Sequence, residues 1–468
     1  MMNPVAELQE TVISRLKSIT GEDNVLIGMD DRSRYGSDET EDLHFMPAVV
    51  VKPGDTAEIA GILKLANEYR IPVTPRGAGT GLSGGALPVF GGIVLSTERL
   101  NRIIEIDERN LQATVEPGVI NQVFRDAVEA LGLFYPPDPA SRGSCFLGGN
   151  LAENAGGPKA VKYGTTRDYV LNCEVVLPTG EIIWTGANVL KNSTGYNLTQ
   201  LVVGSEGTLG VITKIVFRLI PLPAHNLLML VPFFSPEQAC EAVSAVFRAG
   251  FTPSALEFME RDAIDFVMRY VDVQIPVKDE HQAHLLIEVD GHDPDALFRD
   301  CEKISELMYG FECDEIMFAD TARLKQDLWR MRRAVGESVK SHSVYKEEDT
   351  VVPRAELPVL LRGVKEIGRK YGFKSVCYGH AGDGNLHVNI IREDMDEEAW
   401  NTKVPLGIRE IFELCVKLKG TISGEHGIGY VQKNYMDIAF DPAQMDLQRR
   451  IKTLFDPNGI LNPGKIFI

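Results

Sequence analysis

The stretch PRGAGTGLSGGALP, residues 75–88, sets the strongest limit on what this chain folds into. Gly79, Gly81 and Gly84 follow the strand candidate IPVTP with the spacing of a dinucleotide-binding fingerprint. That fingerprint needs a helix directly after its turn, to aim a dipole and free N–H groups at a pyrophosphate. GGALPVFGG follows instead, and its Pro88 and glycines do not read as a helix. A doubly wound nucleotide fold therefore fails on context. What remains is a long Gly/Thr/Ser loop whose N–H groups and hydroxyls are suited to wrapping a pyrophosphate. Two more loops of this kind follow. Residues 136–170, PPDPASRGSCFLGGNLAENAGGPKAVKYGTTRDYV, carry Gly148, Gly149, Asn150, Asn154, Gly156 and Gly157, and VVGSEGTLGVIT carries Gly204, Gly207 and Gly210. One such loop reads equally well as a hinge. Three point to a bulky phosphate-bearing cofactor lying along the backbone.

Between residues 47 and 220, β-rich runs such as AVVVKP, GGIVLS, IIEID and GVITKIVFRLI alternate with helical patterns at TAEIAGILKLANEYR and INQVFRDAVEALG. After IPLPAH the helical patterns lengthen, as in PEQACEAVSAVFRAG and PDALFRDCEKISELMYG, which places a boundary near residue 221. A length of 468 residues predicts two or three domains. Val5, Leu8, Val12 and Leu16 stand at helical spacing, an amphipathic helix and not a signal or transit peptide. Apolar runs fall short of the roughly 18 residues of a membrane span. A net charge of −18 argues against nucleic acid as a partner. Seven cysteines without a CxxC pair predict free thiols in a reducing compartment, and no zinc ribbon or iron–sulfur cluster. A cytoplasmic location is expected, with peripheral attachment at a membrane left open.

The chain has nine histidines, and CYGHAGDGNLHVNI puts two of them around a glycine turn. Alternation in LHVNII sends His387 and Asn389 to one face of a strand, and a turn on Gly382 and Gly384 is able to fold His380 back beside His387. SGEHGIG places Glu425 and His426 between glycines. Two imidazoles and a carboxylate suit Zn²⁺, Mn²⁺ or Fe²⁺ with open positions for substrate. From spacing alone, histidines seven apart in a turn and strand are more often hydrogen-bonded structure than metal ligands.

As an ordered set, PRGAGTGLSGGALP, YPPDPAS, GGNLAENAGGPKAVKYGTTRDYV, NSTGYNLTQLVVGSEGTLGVIT, GHAGDGNLHVN, SGEHGIG and DPNGILNPGKIF resemble the FAD-linked 2-hydroxy acid dehydrogenases of the vanillyl-alcohol oxidase superfamily. That group includes the glycolate oxidase D-subunit, cytochrome-type D-lactate dehydrogenase and D-2-hydroxyglutarate dehydrogenase. The resemblance implies an α+β fold: a two-subdomain FAD-binding domain of the PCMH type over 1–221, an α+β cap (substrate) domain over 222–421, and a C-terminal segment over 422–468 that returns to the flavin. It implies an FAD diphosphate held by Arg76, Gly77, Ala78, Gly79, Thr80, Gly81, Leu82 and Ser83. Pro137, Asp138, Ser141, Gly148, Asn150, Asn154, Gly157, Tyr163, Gly164, Thr165, Ile212 and Asn462 are expected along the rest of the cofactor. Some relatives attach flavin through a histidine of the first loop. This loop has Thr80 and no histidine, so non-covalent FAD is expected.

By the same resemblance His380, His387 and Glu425 are metal ligands, Asn389 is a substrate contact, His426 is the general base, and Arg332 and Lys346 meet the substrate carboxylate. In the D-2-hydroxyglutarate branch a threonine follows that arginine by one helical turn. This chain has Gly336, which weakens the expectation of a dicarboxylate. The implied substrate is a small D-2-hydroxy acid, D-lactate or glycolate, with D-2-hydroxyglutarate as the alternative. With no haem motif and no cysteine cluster, electrons are expected to leave through a cytochrome, a quinone, an electron-transfer flavoprotein or an iron–sulfur subunit, and a homodimer is a candidate assembly. A flavin-free metallohydrolase or non-haem iron enzyme on the same ligands, or a non-catalytic scaffold, are the readings from other classes.

Overall fold

The computed structural model describes residues 5–40 and 43–467. The chain divides into two compact units: Met1–Gly156, Thr165–Leu222 and Glu425–Ile468 form the first, and Gly157–Gly164 with Pro223–Gly424 the second.

The first unit holds a four-stranded and a five-stranded sheet, beside a two-stranded pairing of Leu133–Phe134 with Ile220–Pro221. Strands β1 (Val25–Leu26), β2 (Val49–Val51), β3 (Val73–Arg76) and β4 (Ile93–Ser96) form one, in the order β1-β2-β4-β3, with β2 and β3 parallel to β4. Strands β5 (Ile103–Asp107), β6 (Gln112–Val115), β7 (Val170–Val176), β8 (Ile182–Trp184) and β9 (Val211–Arg218) form an antiparallel sheet in the order β5-β6-β9-β7-β8. Helix α1 (Glu10–Thr20) starts later than the apolar spacing expects, because Val5 is extended and bridges to Gly91. Its stripe of Val12, Ile13 and Leu16 is buried. The side chain of Asp55 accepts from the Glu58 N–H to start α2 (Thr56–Tyr69), which turns Ile59, Ile62, Leu63 and Ala66 into the same core. Each large side chain buried there contributes about 1.5–3 kcal/mol. The second glycine stretch is not all loop: Leu147–Glu153 forms helix α3, ending at Asn154 with φ 57°. A Cβ on Gly148 would lie 2.5 Å from the Pro117 Cβ, so this helix turn needs a glycine to pack where it does.

The second unit is built on a seven-stranded antiparallel sheet. Its strands are β10 (His225–Phe233), β11 (Ala255–Glu260), β12 (Ala283–Gly291), β13 (Met317–Phe318), β14 (Tyr345–Val351), β15 (Lys374–Gly379) and β16 (Asn385–Ile391), in the order β13-β10-β12-β11-β15-β16-β14. Helices α4 (Pro236–Arg248), α5 (Arg261–Tyr270), α6 (Pro294–Tyr309), α7 (Ala322–Arg333), α8 (Val335–His342) and α9 (Leu357–Tyr371) belong to this unit. Ser235 and Asp293 cap α4 and α6 in front of a proline at the first turn, the arrangement that supplies acceptors to otherwise unpaired N–H groups. No helix among the described residues is long and apolar enough to cross a membrane.

Candidate active site

Directly opposed residues of an antiparallel ladder share a face, as do residues two apart on one strand. Three strands of the second unit align Asp349 with His387 and His387 with Tyr378, and in the next row Glu347 with Asn389. Met259 pairs with Tyr378, so Glu257 lies on this face as well. Toward one end the face is apolar: Tyr345, Val376 and Ile391 join Ala263, Ile264 and Val267 of α5, Leu328 and Met331 of α7, and Val335 and Val339 of α8 in one core. Toward the other end it is polar and still buried, with Glu257, Asp349 and Asn389 fully inaccessible.

That polar end has a defined connectivity. His380 Nδ1 donates to both oxygens of Glu257 at 2.8 and 3.0 Å, which leaves Nε2 as the ring's ligating nitrogen. Arg332 Nη2 lies 2.7 Å from Glu257 Oε2, a charge contact short of aligned hydrogen-bond geometry. Arg332 Nε is buried with no hydrogen-bond partner among the described residues. Burial works to raise the Glu257 carboxyl, but His380 and Arg332 outweigh it and hold the group below its ordinary value. The His380 and His387 rings stand 5.4 Å apart at 82°, and His387 Nδ1 is 3.6 Å from Asp349 and 3.7 Å from Glu347. Asn389 Nδ2 donates to the Tyr378 hydroxyl and that hydroxyl to Glu347, both at 3.3 Å, while Asn389 Oδ1 has no partner among the described residues. Burial pushes the Tyr378 phenol well above its usual range, so it stays a neutral donor. The Arg332 guanidinium lies over its ring at 5.1 Å. Two imidazoles backed by carboxylates form a donor set that fits a divalent cation.

Lys346, expected beside Arg332, is not brought to this face. It pairs with Ile390 in the ladder, its side chain leaves from the opposite side of β14, and its Nζ lies 5.9 Å from the Trp400 ring. Glu347, next in the chain, takes the site-facing position. Glu257, Glu347, Asp349 and Tyr378 were not picked out from the sequence. The available signal was an acidic residue inside the apolar run SALEFME, and the alternation of YKEEDT.

In the first unit the three glycine loops converge. A Cβ on Gly77 would lie 3.8 Å from the Gly149 backbone, Gly204 N–H donates to Leu151 at 3.0 Å, and Glu206 N–H donates to Ala152 at 2.9 Å. Gly79 adopts φ 75°, and a Cβ there would fall on the Arg76 guanidinium. Ser83 Oγ and Arg76 Nη1 are buried without hydrogen-bond partners among the described residues, and side-chain directions at Gly81 and Gly149 open onto empty space. Orphaned donors around a Cβ-free cradle fit a phosphate-bearing cofactor. Thr165 and Asn154 bond to each other at 3.0 Å, and Ile212 is buried on β9. Asp138 is committed to ion pairs with Arg125 and Arg142, at 2.6 and 2.9 Å. Pro137 offers its carbonyl to Asn121, and Ser141 its carbonyl to Ser144 and Cys145. Gly157, Tyr163 and Gly164 belong to the second unit, where Lys159 pairs with Glu288, and Lys162 and Tyr163 bond Asp290 at 2.6 and 2.9 Å.

The C-terminal segment closes on these loops. Val73 N–H donates to Ile460, Asn462 N–H to Val73, and the Asn462 amide to the Gly85 and Glu206 carbonyls. Lys465 Nζ donates to Gly85, Leu87 and the Asn462 side chain. Burial depresses Lys465 to about 7, against the pull of Asp38, Glu206 and Glu153. Burial, then Glu206 and Asp38, push Glu153 well above the usual carboxyl range. Glu206 accepts from Ile428 and Gly429 N–H at 2.8 and 2.6 Å, and Glu425 accepts from Gly156 N–H at 3.1 Å. The turn that carries Glu425 and His426 is thereby tied into the first unit. No sequence pattern had singled out Glu153, Glu206 or Lys465.

Comparisons with known proteins agree with both halves. Residues 47–186 match the FAD binding domain model, and residues 222–466 match that of FAD linked oxidases, C-terminal domain. The chain is 38% identical to glycolate oxidase subunit GlcD of Bacillus subtilis, over 98% of this chain and 97% of the relative. It is 40% identical to D-lactate dehydrogenase of Anaerostipes hadrus, over 90% and 89%, and 34% identical to D-2-hydroxyglutarate dehydrogenase of Stutzerimonas stutzeri, over 97% and 98%. Among solved structures, p-cresol methylhydroxylase with substrate bound superposes with a TM-score of 0.82 at 19% identity, covering 100% of this chain and 99% of that one. The fold is the expected α+β fold of the PCMH type.

Proposed function

Because the chain belongs to the FAD-linked oxidases, we propose that it is a dehydrogenase that oxidises a small D-2-hydroxy acid, D-lactate or glycolate, to the 2-oxo acid. The observation that carries this reading is the buried polar end of the second unit's sheet, where a guanidinium with spare donors and two carboxylate-backed imidazoles share one face. A 2-hydroxy acid offers the matching pair of groups, a carboxylate beside a hydroxyl. The names of the relatives support the same substrate class.

Arg332 grips the carboxylate, and its planar fork suits that anion better than an ammonium would. Asn389 Oδ1 orients the substrate as an acceptor. His380 and His387 would hold a divalent cation, a role the family resemblance also gives to Glu425, and the glycine loops would hold FAD without a covalent link. A cation there would supply charge that makes the hydroxyl easier to deprotonate, and FAD would supply a hydride acceptor. An imidazole nitrogen of His426 receives the hydroxyl proton. Electrons then pass to a separate acceptor: a cytochrome, a quinone, an electron-transfer flavoprotein or an iron–sulfur subunit.

The test is anaerobic mixing of the yellow protein with D-lactate, L-lactate, glycolate and D-2-hydroxyglutarate while flavin absorbance is followed. Fast bleaching by D-lactate or glycolate is expected. Bleaching by D-2-hydroxyglutarate alone moves the assignment to the dicarboxylate branch, and a colourless or unresponsive protein rejects it.

A further inference from the structure

Glu257 touches both a proposed metal ligand and the proposed substrate cation, through the two contacts to His380 and the one to Arg332. It has no exposed surface, and its strand neighbours Leu256 and Phe258 are equally buried but apolar. An ionised carboxylate in such a place is costly unless its oxygens are matched, so packing alone does not account for it. Nothing in the ladder requires a charge here either, since Leu286 is its cross-strand partner.

We propose that Glu257 is a positioning residue that sets the distance between the cation site and the substrate-carboxylate site, a refinement that rests on the function proposed above. By accepting the Nδ1 proton it fixes the His380 tautomer and turns Nε2 toward the cation. By holding one side of the Arg332 fork it leaves the buried Nε for an incoming carboxylate. One carboxylate that contacts both groups holds them at a fixed spacing, and in this proposal that spacing selects a hydroxyl and a carboxylate carried by the same carbon. The site therefore takes 2-hydroxy acids and discriminates against 3-hydroxy acids, whose two groups stand one carbon further apart.

The test uses flavin-loaded full-length protein, as wild type, Glu257→Gln and Glu257→Asp, each stripped with chelator and titrated with Zn²⁺. Turnover is then measured on D-lactate or glycolate, whichever bleaches the wild type, and on 3-hydroxypropionate. Glu257→Gln is expected to weaken Zn²⁺ about 10–100-fold and to raise KM more than it lowers kcat. The preference for the 2-hydroxy acid should narrow, bound FAD should be unchanged, and Glu257→Asp should restore part of each loss. A flavin-replete Glu257→Gln with wild-type Zn²⁺ affinity and KM overturns the proposal. If Gln sheds flavin, Glu257→Asp decides: wild-type Zn²⁺ affinity and selectivity overturn it too. A wild type that binds no Zn²⁺, or that no 2-hydroxy acid bleaches, overturns the parent function for all three proteins alike.

Discussion

The two units build their chemistry from different parts of the chain. In the first, backbone does the work: three glycine loops approach one another within van der Waals range, and the orphaned donors around them come from short contiguous stretches. In the second, side chains do it. Glu257, Arg332, Glu347, Tyr378 and His387 come from five separate elements and meet only because strand register and one helix bring them to a single sheet face. A backbone site tolerates little change in the shape of each residue. A side-chain site tolerates little change in register or charge.

The sharpest way to break that contrast is a pair of variants. Gly79→Val forces a β-branched residue into φ 75° and onto the Arg76 guanidinium, so the protein should purify without flavin, read from its 450 nm region. His387→Ala should keep its flavin and lose its metal. The charge stabilisation lost, several kcal/mol at tenfold in rate per 1.4 kcal/mol, amounts to about a thousandfold in kcat. If both variants lose flavin together, the flavin site and the metal site are not separable.

Arg332→Met sharpens the second half of the contrast. It removes the guanidinium from a buried carboxylate, which costs about 3 kcal/mol of stability. Losing the charged hydrogen bonds to substrate, worth roughly 1.5–3 kcal/mol, raises KM about ten- to a hundredfold. Urea unfolding followed by tryptophan fluorescence and by flavin release together checks the stability claim. The tryptophan signal should shift to lower urea more than the flavin signal, because Trp329 and Trp400 belong to the second unit.

How much of this was legible in the sequence follows from the same division. The glycine loops were legible because backbone sites advertise themselves in consecutive residues, and the absence of a helix after Gly84 was readable from Pro88 and its glycines. Most strands and the long helices sit where periodicity puts them. Leu147–Glu153 reads as loop in the sequence, since paired glycines lower helix propensity and the packing that favours the helix, Gly148 against Pro117, is tertiary. His387 and Asn389 were readable from alternation within one strand. Glu257 was not, because its partner His380 lies 123 residues away and no local pattern distinguishes a paired buried glutamate from a surface one. Lys465 and its two glutamates escaped for the same reason.

Lys346 is where the two ways of reading a site part, and it gives the smallest expected effect. The family resemblance assigns Lys346, the residue directly before Glu347, to a substrate carboxylate. Yet side-chain direction on a strand has period two, so neighbours cannot both face the site. The ladder pairs Glu347 with Asn389 and Lys346 with Ile390, which commits Glu347 to the polar face and Lys346 to the other. Lys346→Met should therefore change KM less than about twofold and stability by no more than about 0.5 kcal/mol, as for an ordinary substitution away from a site. Steady-state kinetics on the substrate that bleaches the flavin decides it. A tenfold rise in KM would mean that β14 is offset by one residue in the working enzyme, and such an offset would also remove Glu347 and Asp349 from the face that carries His387.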